Sequence, residues 1–271
     1  MTIRSEGLEG RRVIVLKLGG SVITDKERPM TADRIAIRRL AEEVALSGVR
    51  ELIIVHGGGS FGHPLAERFK IAEGFKEEPQ LLGFSKTHRA MMELNRLIVN
   101  ALLGQGIPAL SLPPSSFIIT HDGRIKALNL EVLRSSLERG FVPVLYGDAV
   151  LDAVRGFTIL SGDQLSARLA LELGASRLIF GVDVDGVYTS NPKLDLEARL
   201  LEVLRLEEME DVARVGGATS TDVTGGMLGK IREALPVVEA GIPVVILNAG
   251  RPHNIFKALR GERVIGTVLC R

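Results

Sequence analysis

The sequence predicts an α/β protein: a mostly parallel sheet covered on both faces by helices. Short β-branched runs alternate along the chain with longer segments of helical period. Those runs are apolar almost throughout rather than alternating, as strands buried on both faces must be. At 271 residues, 45% of them hydrophobic and 25% charged, the chain is long enough to bury a sizeable core, and the composition excludes disorder, collagen and coiled coil.

The expected strands are residues 13–18, 51–55, 108–112, 142–145, 177–180, 244–247 and 264–268. Between the first two lies a helix with Ile37, Leu40, Ala41 and Val44 on one face, entered by Thr31 as a cap and stopped by Gly48. This is a βαβ unit. A second helical stretch, about residues 80–103, precedes the third strand, and residues 116–127, with His121, Asp122 and Gly123 at their centre, read as a β-hairpin of the kind that covers ligands. An alanine- and leucine-rich helix follows at 164–173, and a last one carries Met227, Ile231, Ala234, Leu235 and Val238 on its buried face. No repeat or low-complexity linker divides the chain. The nearest approach to a boundary is the loop region 147–156, so two lobes on one continuous sheet are expected.

Charge and cysteine content narrow the function. With 34 Lys+Arg against 33 Asp+Glu, a formal net charge of +1 supplies no general field for nucleic acid or an anionic membrane. Small-molecule chemistry becomes the leading class. Cys270, the one cysteine, can form neither an internal disulfide nor a cysteine zinc site, and a reducing cytoplasm is the natural setting. Residues 1–12 are polar rather than signal-like, and no apolar run approaches the length needed to span a bilayer.

The chemistry lies in the glycine loops. Lys17-Leu18-Gly19-Gly20-Ser21 closes the first strand, where glycines let backbone N–H groups approach an anion and Lys17 adds a point charge. Lys26 is a second cation that can fold back over that loop. After the second strand come Gly57, Gly58 and Gly59, then Gly62, His63 and Pro64. These formally satisfy G-x-G-x-x-G, with Glu77 and Glu78 at ribose distance, but three successive glycines more simply present N–H groups to a phosphate beside His63. Ser161-Gly162-Asp163 opens a helix. Asp183, Asp185, Gly186 and Tyr188 form an acidic loop after another strand, and Thr224-Gly225-Gly226-Met227 leads to Lys230, one turn into the last-named helix. A lysine at the positive end of a helix is unfavourable unless an anion is bound there. The loop is not a Walker A motif, since Thr224 stands where its first glycine belongs and Ile231 follows Lys230.

Taken in this order, the five motifs are similar to those of the amino acid kinase family over nearly the whole chain. Gly57 to Pro64 with His63, and the Thr-Asp-Lys that ends at Lys26, most resemble the members that phosphorylate isopentenyl phosphate, with fosfomycin-phosphorylating members as near neighbours. The resemblance implies an open αβα sandwich and a homodimer. Residues 1–155 would form the lobe for the phosphate acceptor and dimerisation, and residues 156–271 the lobe for ATP. It also implies transfer from ATP to isopentenyl phosphate with Mg²⁺. Lys17, Lys26 and Lys230 are the cations expected to bring two anions together, the first and last on the transferred phosphoryl group and Lys26 on the transition state. By the same resemblance Gly58, His63 and Gly162 bind the acceptor phosphate, and Asp163 orients the two lysines. Gly19, Gly20, Ser21, Gly59 and Gly226 serve the nucleotide, bordered by Asp183, Gly186 and Tyr188. No protein metal cage is expected, Mg²⁺ being held by nucleotide phosphates and water. Phe75, Phe84 and Ile159 are candidate walls for an isoprenoid tail. A non-catalytic anion-binding protein and a dinucleotide oxidoreductase are the readings from other classes.

Overall fold

The computed structural model describes residues 13–190, 192, 195–209 and 225–271, so the polar start at residues 1–12, Asn191 and the approach to the last glycine loop at residues 221–224 lie outside the described residues. At its centre is β1 (Ile14–Leu18), buried at all five positions. It is flanked in parallel by β2 (Leu52–His56) and β9 (Arg177–Val182). Beyond β2 lie β6 (Val142–Tyr146) and the edge strand β3 (Ala109–Ser111), and beyond β9 lie β11 (Val244–Asn248), β12 (Gly266–Cys270) and β10 (Val203–Arg205). The sheet therefore runs β10-β12-β11-β9-β1-β2-β6-β3 without a break. Among the described residues, only the β11–β12 pairing within it is antiparallel.

Alternate residues of the central strands feed two cores. Val15, Val55 and Phe180 pack under α5 (Glu131–Glu138), α6 (Gly162–Glu172) and α7 (Gly225–Glu239). Leu16, Ile54 and Ile179 pack under α2 (Arg34–Ser47), α4 (Pro79–Gly104) and α8 (Asn254–Arg260). These are the two covered faces that uniformly apolar strands require. The short α1 (Gly20–Ile23) and α3 (Gly59–Arg68) start directly from the loops after β1 and β2. Among the described residues, no helix is long and apolar enough to cross a membrane.

Two expectations change. The cap of α2 is Asp33, whose carboxylate accepts from Ala36 N at 2.9 Å, while the Thr31 hydroxyl donates to Pro29 O instead. Gly48 ends the helix as expected, at φ 70°. The segment 147–156 is no boundary loop: β7 (Asp148–Asp152) forms an antiparallel hairpin with β8 (Gly156–Leu160). With the expected hairpin, β4 (Ile118–His121) and β5 (Arg124–Leu128), these strands make a second sheet of order β5-β4-β7-β8. Its hydropathy pattern is partly inverted, because Asp148 and Asp152 are buried while Leu151 is exposed. Periodicity cannot find such a strand.

Asp152 explains that inversion. Its carboxylate accepts from the backbone N–H groups of Asp122, Gly123, Val154 and Arg155 and from the Thr120 hydroxyl, tying both hairpin turns together. Burial alone would raise its pKa, but these donors outweigh that and hold it far below the usual carboxylate range. A depressed carboxyl stabilises the fold above its unfolded pKa and loses that contribution as pH falls through the folded value. Asp152→Ala should thus cost about 2–4 kcal/mol at pH 7. Urea unfolding should show the gap between variant and wild type narrowing at about pH 3; an equal gap at both pH values would contradict the assignment.

Candidate functional site

A cavity of about 660 Å³ opens at the carboxyl ends of β1, β2, β6 and β9, where open α/β sheets place their ligands. Every residue expected on the phosphates and nucleotide lines it except Gly186 and Tyr188, and of the expected tail walls Ile159 does while Phe75 and Phe84 do not. The loops after β1 and β2 are pressed back to back beneath it. A Cβ on Gly20 would stand 2.2 Å from Gly59 N, and Gly59 itself adopts φ 47°. Glycine is required there for the approach of the two backbones as well as for any anion. Besides these loops, the first turns of α6 and α7 border the cavity.

On the cavity wall, two lysines share one carboxylate. Lys17 lies on β1 itself, opposite Val55 and Phe180, and so is carried into the interior, 5% exposed. Its Nζ is 2.8 Å from Asp163 Oδ1, and Lys230 Nζ is 3.1 Å from Asp163 Oδ2. Asp163 is free for this because Ser161, not Asp163, caps α6: the Ser161 Oγ accepts from Asp163 N at 3.1 Å. Burial pushes the Lys17 pKa down and Lys230 repels it further, against the attraction of Asp163, leaving it below the usual lysine value. Burial would raise Asp163, but the two ammonium groups outweigh it and hold the carboxyl low. When both lysines are protonated the trio carries a net positive charge in a half-shielded place, which is an anion site.

His63 stands in α3, one turn from Gly59, its pKa lowered first by burial and then by Lys17 and Lys230. It faces the cavity as a neutral ring at neutral pH. Pro64, next in that helix, has no N–H to give to Ser60 O, which instead accepts from Met30 N at 3.0 Å. Ser60 N donates to Thr24 Oγ1 and Ser60 Oγ to Thr31 O, so α3 grips both ends of the loop that carries Lys26. Lys26 reaches across the cavity mouth to Asp183 Oδ2 at 2.7 Å, on the loop after β9.

Residues 12–248 match the profile of the Amino acid kinase family. The chain belongs to the amino acid kinase family. It is 47% identical over 262 residues to an isopentenyl phosphate kinase of Methanothermobacter thermautotrophicus, covering 94% of this chain and 98% of that one. A solved structure of isopentenyl phosphate kinase superposes with a TM-score of 0.84 at 44% identity, over 95% of this chain and all of the other. A second, a substrate complex of isopentenyl phosphate kinase, gives 0.77 at 32% identity over 95% of this chain and 99% of that one.

Within this amino acid kinase framework some expected contacts move. Gly186 packs on the last strands, where a Cβ would meet Thr267 Oγ1 at 2.4 Å. The Tyr188 hydroxyl donates to Asp185 at 3.3 Å, and Asp185 is gripped through two N–H groups by Arg251. Of the apolar candidates Ile159 lines the cavity, with Ala66, Thr87 and Met91 beside it. Phe75 and Phe84 instead pack on Phe157 behind it, at ring distances of 5.7 and 5.5 Å.

Three residues in or next to the cavity wall are missing from the sequence-based set of site residues. Asp148 lies on the unforeseen β7 and holds His88 Nδ1 at 2.9 Å. Burial raises the Asp148 carboxyl, and the His88 contact only partly opposes that. His56 is fully buried, stacked on Tyr146 and neutral, its pKa lowered to about 4 by burial. Its Nε2 accepts from Asn95 Nδ2 at 3.2 Å, which steadies the end of β2 just before the glycine triplet. Glu233 was within reach of sequence reasoning, because a residue three beyond Lys230 shares its helix face.

Proposed function

We propose that this chain transfers the γ-phosphoryl group of ATP to isopentenyl phosphate, giving isopentenyl diphosphate and ADP. The observation that carries the reading is the pair of lysines on Asp163, set in a cavity lined by the glycine loops and by apolar Ile159, Ala66 and Met91. An oxygen of the acceptor phosphate attacks the γ-phosphorus in line, the bond to the β,γ-bridging oxygen breaks, and that oxygen keeps the electron pair on ADP. A phosphomonoester has its second pKa near about 6 and is already nucleophilic at neutral pH, so no general base is needed. Catalysis is then positioning and charge neutralisation.

Lys17 and Lys230 hold the equatorial oxygens of the transferred group, Asp163 keeps their ammonium groups apart and charged, and Lys26 leaves Asp183 to meet developing charge. Gly58 and His63, with Gly162 from the first turn of α6, take the acceptor phosphate; Gly19, Gly20, Ser21 and Gly59 from the loops after β1 and β2, with Asp183 and Gly226, border the nucleotide. Three of the carboxylates on the cavity wall are engaged by groups that stay in place: Asp163 by two lysines, Asp148 by His88 and Glu233 by Arg124. That donor set fits a Mg²⁺ held through the phosphates of ATP, where it would neutralise their charge. Among the described residues there is no group of three His, Cys, Asp or Glu side chains arranged to hold a metal ion.

³¹P NMR of ATP with isopentenyl phosphate tests the reading directly, with fosfomycin, glutamate, carbamate and UMP as competing acceptors. Growth of diphosphate resonances with isopentenyl phosphate alone is expected, and no turnover of it would overturn the proposal. His63→Ala should raise the acceptor KM about 10- to 100-fold, the worth of one hydrogen bond to a charged group. The ATP KM should change little. An unimpaired His63→Ala variant would remove His63 from the acceptor site.

A further inference from the structure

We propose that Arg124, at the start of β5 in the hairpin, is a positioning residue for Lys230, acting through Glu233 on the same helix. Its guanidinium grips the Glu233 carboxylate with both arms, Nη1 to Oε1 at 2.5 Å and Nη2 to Oε2 at 2.9 Å, across 109 residues of sequence. The fork-to-fork geometry fixes direction as well as distance. Glu233 is the shielded partner, its side chain 18% exposed against 65% for Arg124, and it forms part of the cavity wall three residues past Lys230.

A lone surface ion pair would carry little. This one is the second hold of a single strap. The same hairpin is fastened to α6 by buried Gln164, whose Oε1 accepts from Ile125 N at 2.9 Å and whose Nε2 donates to Gly123 O at 3.0 Å. Gln164 immediately follows Asp163. The hairpin therefore touches α6 one residue from the carboxylate and α7 one turn from the lysine, and those two side chains must meet at 3.1 Å. Asp152 anchors the turn of the strap from below, through Asp122 N and Gly123 N. A slide of α7 along α6 would part Lys230 from Asp163, and the grip of Arg124 on Glu233 opposes that slide.

The proposal rests on Lys230 serving the transferred phosphoryl group. Steady-state kinetics with ATP and isopentenyl phosphate should show kcat about ten-fold lower for Arg124→Glu and for Glu233→Arg, with the acceptor KM within about two-fold of wild type. The double exchange, Arg124→Glu with Glu233→Arg, should regain most of kcat. Single variants with undiminished kcat, or an exchange that regains nothing, would overturn the assignment. Hydrogen exchange of the substrate-free protein gives a reading independent of turnover. Arg124→Ala, a change at an exposed side chain, should speed exchange in α7 and leave β1 and β2 unchanged, and unaltered exchange in α7 also overturns it. If wild type fails to phosphorylate isopentenyl phosphate, the functional reading falls while the exchange experiment still decides the strap.

Discussion

Lys17→Met is expected to lower kcat by at least about 10³-fold while leaving the protein folded. Two ammonium groups on one carboxylate give the cavity its positive charge, with Lys17 the more deeply buried of the pair. Without it, Asp163 and Lys230 neutralise each other and nothing draws in the equatorial oxygens of a transferring phosphoryl group. Removal of one preorganised donor from a transition-state site costs about 10²–10³-fold, and loss of a full charge from a shielded site belongs at or above the upper end. Methionine keeps the length and shape of the side chain and removes a charge whose burial is itself costly, so the melting temperature should not fall. Arginine should not restore activity, since a planar fork cannot occupy the space of a compact ammonium beside Gly162, where a Cβ would already lie 3.6 Å from Lys17 Cε. A coupled ADP assay with thermal unfolding of each variant checks the expectation; a Lys17→Met enzyme with more than about a tenth of wild-type kcat would end the role assigned to Lys17.

The large sheet was legible because its strands are buried on both faces, so uninterrupted apolar runs such as β1 and β2 stand out without any periodicity. The glycine loops were legible because backbone contact at Gly20 and Gly59 tolerates no side chain. What stayed hidden has a common physical cause. In β7 the buried positions Asp148 and Asp152 are charged and satisfied by partners distant in sequence, His88 for one and the hairpin turn of residues 122–123 for the other. Local pattern cannot supply those partners. Tyr188 was placed at the nucleotide border because of its motif, yet its hydroxyl is committed to Asp185, a contact settled by Arg251 on a separate strand-end loop. Lys26 shows the same limit from the other side: it lines the cavity, but its partner Asp183 lies 157 residues away.

Asp163→Asn should lower kcat about 10²-fold and move the alkaline limb of the pH–rate profile to lower pH. Lys17 must be protonated to hold a phosphoryl oxygen, and both its burial and the neighbouring Lys230 already disfavour that charge. The Asp163 carboxylate is the one influence that raises it. Asparagine keeps nearly the same shape and can still accept a hydrogen bond, but it removes the attraction, so the Lys17 pKa falls further below its ordinary value. Activity is lost as pH rises through that lowered pKa, so the variant should recover part of its deficit in mildly acidic buffer and lose the remainder sooner in alkali. A purely geometric role for Asp163 would lower kcat by a similar factor at every pH. The profile therefore separates charge from shape, and an alkaline limb that stays where wild type has it would refute the electrostatic part played by Asp163 between the two lysines.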